Sequence, residues 1–338
     1  MRLADIDYHL PEELIAQQPA DPRDSARLLV ALDGIAHRRV SDLVDYVGEG
    51  DVLVVNETRV LPARLDLRRQ SGGRVEVLLL EALDDTDERW EALVKPGRKV
   101  REGELLFAEN GEGVVEVLGR TPAGDTFVVR VVKGETASER RAAIAEVGAV
   151  PLPPYITAPL VDRERYQTVY ARREASAAAP TAGLHFTPEL MAAIVDRGAS
   201  FAPVELVVGL DTFKPVEEEN PLDHHIHTER YSVPGETWEA VRNAKRVIAI
   251  GTTSCRALES AAATGRLEGR TDLFITPGHR WQVVDVMMTN FHMPRTTLLL
   301  MIGAFIGDAW RDIYAEAVRE RYRFLSFGDA MLLARAGS

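Results

Sequence analysis

The sequence of 338 residues has a single cysteine, Cys255, so no disulfide can form within the chain. A chain of this length can bury a large core without cross-links, and the absence of cysteine pairs favours a reducing, cytoplasmic location. The longest apolar run, Leu298 to Ile306, contains a glycine and is far shorter than the roughly twenty residues of a membrane span. The first residues include acids and prolines, so we expect no export signal and no membrane partner.

Positive charge is in the minority, because the formal net charge is −12. Such a balance argues against a nucleic-acid partner, since phosphates are bound by lysine and arginine. Residues 59–74 and 89–101 nevertheless each have a local net charge of +4. Charge alone favours an ordinary solvated surface, and the alternative is one basic patch on an acidic protein. The candidate phosphate-binding cations of that patch are Arg59, Arg64, Arg68, Arg69, Lys95 and Arg98.

Two patterns divide the chain. After Thr58, six short segments, several with alternating apolar and polar residues, are separated by glycine-rich turns, which predicts an antiparallel β-barrel or sandwich. Beyond residue 150, strand-like and helix-like segments alternate, as in a layered α/β domain. Residues 51–57, 201–208, 272–276 and 282–288 are among the predicted strands. We therefore predict an α/β domain of residues 1–58 and 150–338, interrupted by an inserted β-barrel domain of residues 59–149.

The segment VIAIGTTSCRALES, residues 247–260, has the pattern of a strand, a tight turn and a helix. Gly251 permits the turn, and Thr252, Thr253 and Ser254 would lie beside the free N–H groups of the helix N-terminus. Such an end binds carboxylates or phosphates, and Arg256 can add a bidentate contact. The glycine and lysine of a P-loop are absent. The motif alone slightly favours an ordinary capped helix over such an anion site.

Histidines mark three further segments. Asn290, Phe291 and His292 follow an apolar strand, where α/β sheets commonly bind ligands, although a plain strand-end turn fits as well. Residues 222–231 contain three histidines, but without cysteines or a zinc-binding helix motif we predict no metal. Cys255 is more simply explained by packing than by reactivity. In residues 175–190, small residues surround His185 and Phe186, which fits either a tight turn or close approach to a ligand.

The order of these segments identifies a family resemblance. The chain resembles the S-adenosylmethionine:tRNA ribosyltransferase-isomerase family of queuosine biosynthesis over nearly its whole length. The segments that show the resemblance include VNETRVLPARL, AAPTAGLHFT, HHIHTE, IGTTSCRALES, TNFHMPRTTLLL and YRFLSFGDAM.

The resemblance implies an α/β domain with an inserted β-barrel and S-adenosylmethionine as a ribosyl donor. The acceptor would be 7-aminomethyl-7-deazaguanine at the tRNA wobble position, and the products would be epoxyqueuosine-tRNA, adenine and methionine. We expect tRNA as the partner, no metal and a monomer. Ala175, Ala177, Val207 and Asp211 depart from the family pattern, so the identity of the acceptor stays open.

Residue type and motif position give the expected roles. Proton transfer needs groups that titrate near neutral pH, so His185 is the leading acid/base candidate, followed by His227 and His292. Aromatic faces would hold the sulfonium, and the helix start with Arg256 would hold the methionine carboxylate. The expected donor-binding residues are Thr181, Gly183, Phe186, Gly251, Thr252, Thr253, Ser254, Arg256, Asp285, Asn290 and Phe291. Tyr166, Tyr170 and Glu229 join the six basic residues as candidates for acceptor or tRNA contacts.

Three alternative functions are considered. Val207 and Asp211 suggest a related ribosyl or alkyl transferase with another acceptor. A non-catalytic tRNA-binding homologue would not need the PTAGLHFT, GTTS and TNFH segments. A methyltransferase would need a glycine-rich strand-to-helix loop near the start of a doubly wound domain, and the sequence has none.

Overall fold

The computed structural model describes residues 1–122, 124–208, 215–226 and 228–337. The chain divides into two compact units. Unit 1 comprises Met1–Thr58, Pro153–Arg173 and Ala179–Ser338, and unit 2 comprises Arg59–Leu152 and Glu174–Ala178. The assignment of Glu174–Ala178 to unit 2 has no counterpart in the sequence pattern.

Unit 1 is built on a nine-stranded mixed sheet. Its strands are β1 (Arg27–Ala31), β2 (Ile35–Arg39), β3 (Asp51–Asn56), β13 (Ser200–Leu206), β14 (Glu229–Ser232), β15 (Arg246–Ile250), β16 (Glu268–Thr271), β17 (Val286–Asn290) and β18 (Ala330–Ala334). They lie in the order β16-β14-β13-β3-β15-β17-β18-β1-β2. The four central strands β13, β3, β15 and β17 run parallel, so their carboxyl ends meet at one edge of the sheet.

The helices of unit 1 begin in different ways, and two of them have a threonine cap. They are α2 (Pro188–Asp196), α3 (Gly235–Asn243), α4 (Thr252–Thr264), α5 (Thr297–Ile306) and α6 (Ala309–Arg319). The side chains of Thr187 and Thr296 cap α2 and α5 by accepting hydrogen bonds from backbone N–H groups in the first turn. Every residue of β3 is buried, as expected for a central strand covered on both faces.

Unit 2 contains a closed antiparallel barrel. Its strands are β5 (Arg64–Arg69), β6 (Arg74–Ala82), β7 (Arg89–Lys95), β8 (Leu105–Phe107), β9 (Gly113–Arg120), β10 (Phe127–Val131) and β11 (Gly148–Ala149). The pairing of β5 with β8 closes the circle, and β11 adds to β5. Helix α1 (Ala137–Val147) follows the barrel strands. Two further strands, β4 (Thr58–Val60) and β12 (Arg173–Ser176), pair in a separate two-stranded sheet.

The predicted fold class, an α/β domain with an antiparallel barrel, is confirmed. Two predicted strands are wrong in position. Residues 272–276 have no regular structure, because the chain turns at Thr271, whose hydroxyl accepts a hydrogen bond from the Leu273 N–H. The strand predicted at 282–288 begins only at Val286, because the N–H groups of residues 282–284 donate to the carboxylate of Glu259 instead of to a neighbouring strand. No helix in the described part of the chain has the length and apolarity that crossing a bilayer requires.

Candidate functional site

A cavity lies at the carboxyl edge of the parallel strands of unit 1. Its empty volume is about 630 Å³, which includes solvent space at the open mouth. The turn after β15 lines it with Gly251, Thr252 and Thr253, and the end of β17 with Thr289 and Asn290. This edge is where ligands usually bind in α/β proteins.

The turn between β15 and α4 forms one polar wall of the cavity. Gly251 has a φ of +88°, a conformation that glycine adopts without strain and that aims the first turn of α4 at the cavity. The Thr253 hydroxyl is buried and has no hydrogen-bond partner among the described residues. Ser254 differs from its neighbours, because its hydroxyl donates to the Ile250 carbonyl at 2.8 Å inside the protein. We therefore leave Ser254 out of the site that we propose.

Asn290 connects three segments at the edge of the cavity. Its Oδ1 atom accepts a hydrogen bond from the Thr181 hydroxyl at 2.8 Å. Its Nδ2 atom lies 3.3 Å from His185 Nε2 and donates to the Asp329 carbonyl at 3.3 Å. The structure thus brings Asn290 into contact with Thr181 and His185, which lie 109 and 105 residues away in the sequence.

His185 is held by its neighbours and does not line the cavity. One ring nitrogen faces the Asn290 amide at 3.3 Å. Burial lowers the pKa of His185 to about 4, with the charge of Asp329 opposing the shift. Because the ring is buried, contacts Asn290 and does not line the cavity, the leading acid/base candidate from sequence has the environment of a positioning residue.

His292 lines the cavity directly. Its Nε2 atom lies 3.1 Å from the Thr289 hydroxyl, which leaves Nδ1 as the nitrogen available to a ligand. The His292 backbone N–H donates to the Tyr314 hydroxyl at 3.1 Å, and its carbonyl accepts a hydrogen bond from Tyr8. Burial lowers the pKa of His292 to about 3, so the imidazole is neutral at physiological pH.

The aromatic residues predicted to bind the sulfonium have different environments. Phe186 is fully buried in the hydrophobic core and packs edge-on against Tyr170 and Phe201, so its ring face is not available to a ligand in the cavity. Phe291 borders the cavity, but its side chain is also fully buried and its ring packs against Tyr314, Tyr322 and Phe324. Gly183 instead permits close packing, because a Cβ atom there would meet the Tyr170 hydroxyl at 1.9 Å.

Two other predicted ligand contacts have structural partners. Tyr166 is fully buried and packs edge-on against Phe327, which places its ring inside unit 1 instead of on a surface open to tRNA. Asp285 precedes β17 and therefore lies at the opposite edge of the sheet from the cavity. There it accepts a hydrogen bond from the Val247 N–H at 2.9 Å and lies 3.4 Å from Arg335. We leave both residues out of the proposed site.

Arg256 and Glu229 form a buried ion pair between α4 and β14. Only the Nη1 atom of Arg256 contacts Glu229. The Nε and Nη2 atoms are buried and have no hydrogen-bond partner among the described residues. An orphaned buried donor is costly, so this edge of the guanidinium has unused binding capacity.

Sequence reasoning missed a hydroxyl pair and a carboxylate at the site. Tyr155 and Ser326 both line the cavity, and their hydroxyl oxygens lie 2.7 Å apart. Asp329 is 1% exposed, and its carboxylate accepts hydrogen bonds from the backbone N–H groups of Arg27 and Arg323. The segments PLPPYI and FLSFGDAM contain these residues, but nothing in either pattern indicates that they meet.

The six predicted phosphate-binding cations all lie in unit 2. Arg68, Lys95 and Arg98 are exposed. The others have acidic or carbonyl partners nearby: Arg69 binds Glu104 at 2.6 Å, and Arg64 Nη2 donates to the Leu152 carbonyl at 3.4 Å. Arg59 lies 3.9 Å from Glu174. The exposed three are therefore the better candidates for contacts with RNA.

Two residues of the sequence analysis, His227 and Asp211, lie outside the described residues. In the described part of the chain, no group of three histidine, cysteine or acidic side chains is arranged to hold a metal ion. His224, from the histidine-rich segment, lies 2.9 Å from Glu218. Cys255 is buried, and burial raises the pKa of its thiol.

The fold and the cavity define a two-unit protein, in which an α/β unit with a small-molecule site is interrupted in sequence by an antiparallel barrel. The model of the queuosine biosynthesis protein family matches residues 3–333. The chain belongs to this family.

Relatives support the same assignment. The chain is 49% identical to the S-adenosylmethionine:tRNA ribosyltransferase-isomerase of Symbiobacterium thermophilum, with 98% of this chain and 100% of the relative covered. It is also 49% identical to the protein of that name from Rubrobacter xylanophilus, with 100% and 99% covered. The crystal structure of an S-adenosylmethionine tRNA ribosyltransferase from Thermotoga maritima matches with a TM-score of 0.54 and 36% identity, covering 97% of this chain and 99% of that one.

Proposed function

We infer that this protein is an S-adenosylmethionine:tRNA ribosyltransferase-isomerase. The observation that supports this most directly is the identity of 49% over essentially the full length of relatives with that name. In the reaction that we propose, the ribosyl part of S-adenosylmethionine is transferred to 7-aminomethyl-7-deazaguanine in tRNA and isomerised. Epoxyqueuosine-tRNA, adenine and methionine are the products. We further propose that the protein acts in the cytoplasm as a monomer.

The cavity of unit 1 is the proposed site of the donor. Gly251, Thr252 and Thr253 line it and offer backbone and hydroxyl groups at a helix N-terminus. Phe291 borders the cavity, but its buried ring packs against Tyr314, Tyr322 and Phe324, so we propose no cation–π contact for it. Asn290 and Thr181 hold each other in place at the same wall.

His292 is the proposed proton acceptor. The sulfonium acidifies the protons of the neighbouring ribose carbon, and the attacking amine of the acceptor must also lose a proton. A neutral imidazole can accept such a proton, whereas a protonated one would repel the cationic donor. The lowered pKa of His292 keeps the ring neutral but also makes it a weaker base than a free imidazole. We therefore propose His292 on the basis of its position, since its fixed backbone holds the ring at the cavity wall.

Mass spectrometry tests the proposed reaction. Incubation with S-adenosylmethionine and tRNA that contains 7-aminomethyl-7-deazaguanine should yield free adenine and the modified nucleoside in equal amounts. The free base in place of tRNA tests the alternative acceptor suggested by Val207. Adenine release with the free base but not with tRNA would favour that alternative, and release with neither would reject the proposed reaction.

The exposed cations of unit 2 should bind tRNA phosphates. We expect the triple variant Arg68→Glu, Lys95→Glu and Arg98→Glu to weaken tRNA binding at least tenfold and to flatten its salt dependence, because each phosphate contact releases counterions. Affinity for S-adenosylmethionine should not change. The matched control reverses two exposed arginines of unit 1, Arg242 and Arg280. Equal losses of tRNA affinity in both variants, measured by filter binding, would argue against a specific surface on unit 2.

A further inference from the structure

The guanidinium of Arg256, one turn along α4 from the cavity-lining Thr253, has two nitrogen atoms without a hydrogen-bond partner among the described residues. Arg256 is 8% exposed, and its Nη1 atom binds the carboxylate of Glu229. Its Nε and Nη2 atoms are buried without a hydrogen-bond partner in the described part of the chain. Folded proteins rarely leave such donors unpaired, and a group of this kind therefore indicates a missing ligand.

The two orphaned nitrogens lie on one edge of the planar guanidinium. Their N–H bonds are parallel and match the spacing of two carboxylate oxygens, which is the geometry of a bidentate arginine–carboxylate pair. Glu229 contacts the Nη1 atom and therefore does not form a bidentate pair with Nε and Nη2. The free edge is thus suited to a second carboxylate, supplied by a ligand.

The position of Arg256 connects this edge to the cavity. Thr253 and Arg256 are three residues apart on α4 and share one face of the helix. Thr253 lines the cavity, and its buried hydroxyl also has no partner among the described residues. The N–H groups in the first turn of α4 favour the same kind of ligand, an anion.

We propose that Arg256, Thr253 and the first turn of α4 bind the α-amino-acid group of the donor, and that Glu229 makes this subsite specific for a zwitterion. The Nε and Nη2 atoms of Arg256 bind the α-carboxylate. Glu229 neutralises Arg256, and in this proposal its carboxylate is also the group that faces the α-ammonium. The inference rests on the proposed function, because it takes S-adenosylmethionine as the donor.

Charge balance explains why this subsite would distinguish ligands. The ion pair and a zwitterionic ligand together have no net charge, so all four groups can be buried with partners. A ligand without its carboxylate would bring an unbalanced ammonium into the buried site and leave the Arg256 edge unpaired. A purely structural ion pair, which only connects α4 to β14, would not produce this discrimination.

Calorimetry without tRNA tests the subsite. We expect the wild type to bind S-adenosylmethionine roughly 10- to 100-fold more tightly than decarboxylated S-adenosylmethionine, as for the loss of a charge-assisted bidentate contact. Arg256→Lys keeps a positive charge beside Glu229 but lacks the planar fork. It should weaken S-adenosylmethionine binding by a similar factor and change binding of the decarboxylated ligand about twofold or less. The control Arg280→Lys, at an exposed position, should behave as the wild type.

The outcomes separate this inference from the proposed function. Equal affinity of the wild type for the two ligands, together with adenine release on acceptor tRNA, would overturn the subsite and leave the function intact. If Arg256→Lys lowered the affinity for both ligands equally, Arg256 would have a structural role, and the proposed subsite would also be overturned. If that variant does not fold, Thr253→Val should reduce the preference for the carboxylate-containing ligand, and an unchanged preference would count against the subsite. Absence of adenine release would reject the function itself.

Discussion

Replacement of His292 by glutamine is expected to lower the rate of adenine release by about 10²- to 10⁴-fold, the usual contribution of a positioned acid or base. The imidazole lines the cavity, and its Nε2 atom is held by Thr289, so the amide of the variant fills a similar space without accepting a proton. Affinity for S-adenosylmethionine should change much less than turnover. Single-turnover adenine release and calorimetry measure the two quantities separately.

The matched control is His185→Gln, because His185 is also buried but does not line the cavity. Its loss removes a contact to Asn290, so we expect a smaller decrease in rate, about tenfold, together with a lower unfolding temperature. Because burial lowers the pKa of His292 to about 3, its protonation should not reduce the wild-type rate between pH 8 and pH 5. A near-normal rate for His292→Gln, or an equal loss for His185→Gln, would contradict the assignment.

Local sequence patterns were sufficient to predict the barrel. Strands such as β5 and β7 alternate buried and exposed residues, and glycine-rich turns separate them, so periodicity indicates both their position and their inner face. The edge hairpin of unit 1 could not be found in this way. Most residues of β2 are polar or exposed, and this strand is specified by its pairing with β1 instead of by an apolar pattern.

The choice of His292 over His185 as the proton acceptor also depends on contacts that a sequence does not show. His185 and His292 both lie in short segments that show the family resemblance, so the sequence does not distinguish them. Only the structure shows that the His185 ring is buried against Asn290, whereas the His292 ring lines the cavity. Phe186 was predicted to bind the donor, but the structure places it in the hydrophobic core. The sequence could not show this, because a large apolar residue in a ligand-binding loop can also pack into the core. The Tyr155–Ser326 pair joins positions 171 residues apart.

The largest effect on stability is expected at Asp329. We expect Asp329→Ala to lower the free energy of unfolding by about 3–5 kcal/mol, as when one partner of a buried ion pair is removed. The side chain of Asp329 is 2% exposed, and its carboxylate lies 3.1 Å from Arg323 Nη2. The carboxylate also accepts hydrogen bonds from the backbone N–H groups of Arg27 and Arg323, at 3.1 and 2.8 Å. The alanine variant leaves all of these donors without an acceptor.

The same carboxylate organises one wall of the cavity. The Asp329 carboxylate accepts a hydrogen bond from the Arg323 N–H, which closes the turn that contains the cavity-lining residues Leu325 and Ser326. The Asp329 carbonyl accepts a hydrogen bond from Asn290. Asp329→Ala should therefore weaken S-adenosylmethionine binding even at temperatures where the variant is folded. Asp329→Asn keeps an acceptor oxygen and should lose less stability than the alanine variant. Asp308→Ala, at a side chain that is 97% exposed, is the control and should stay within about 0.5 kcal/mol of the wild type. Urea unfolding curves that show equal stability for Asp329→Ala and Asp308→Ala would refute this role, because a buried carboxylate with four donors cannot be removed without cost.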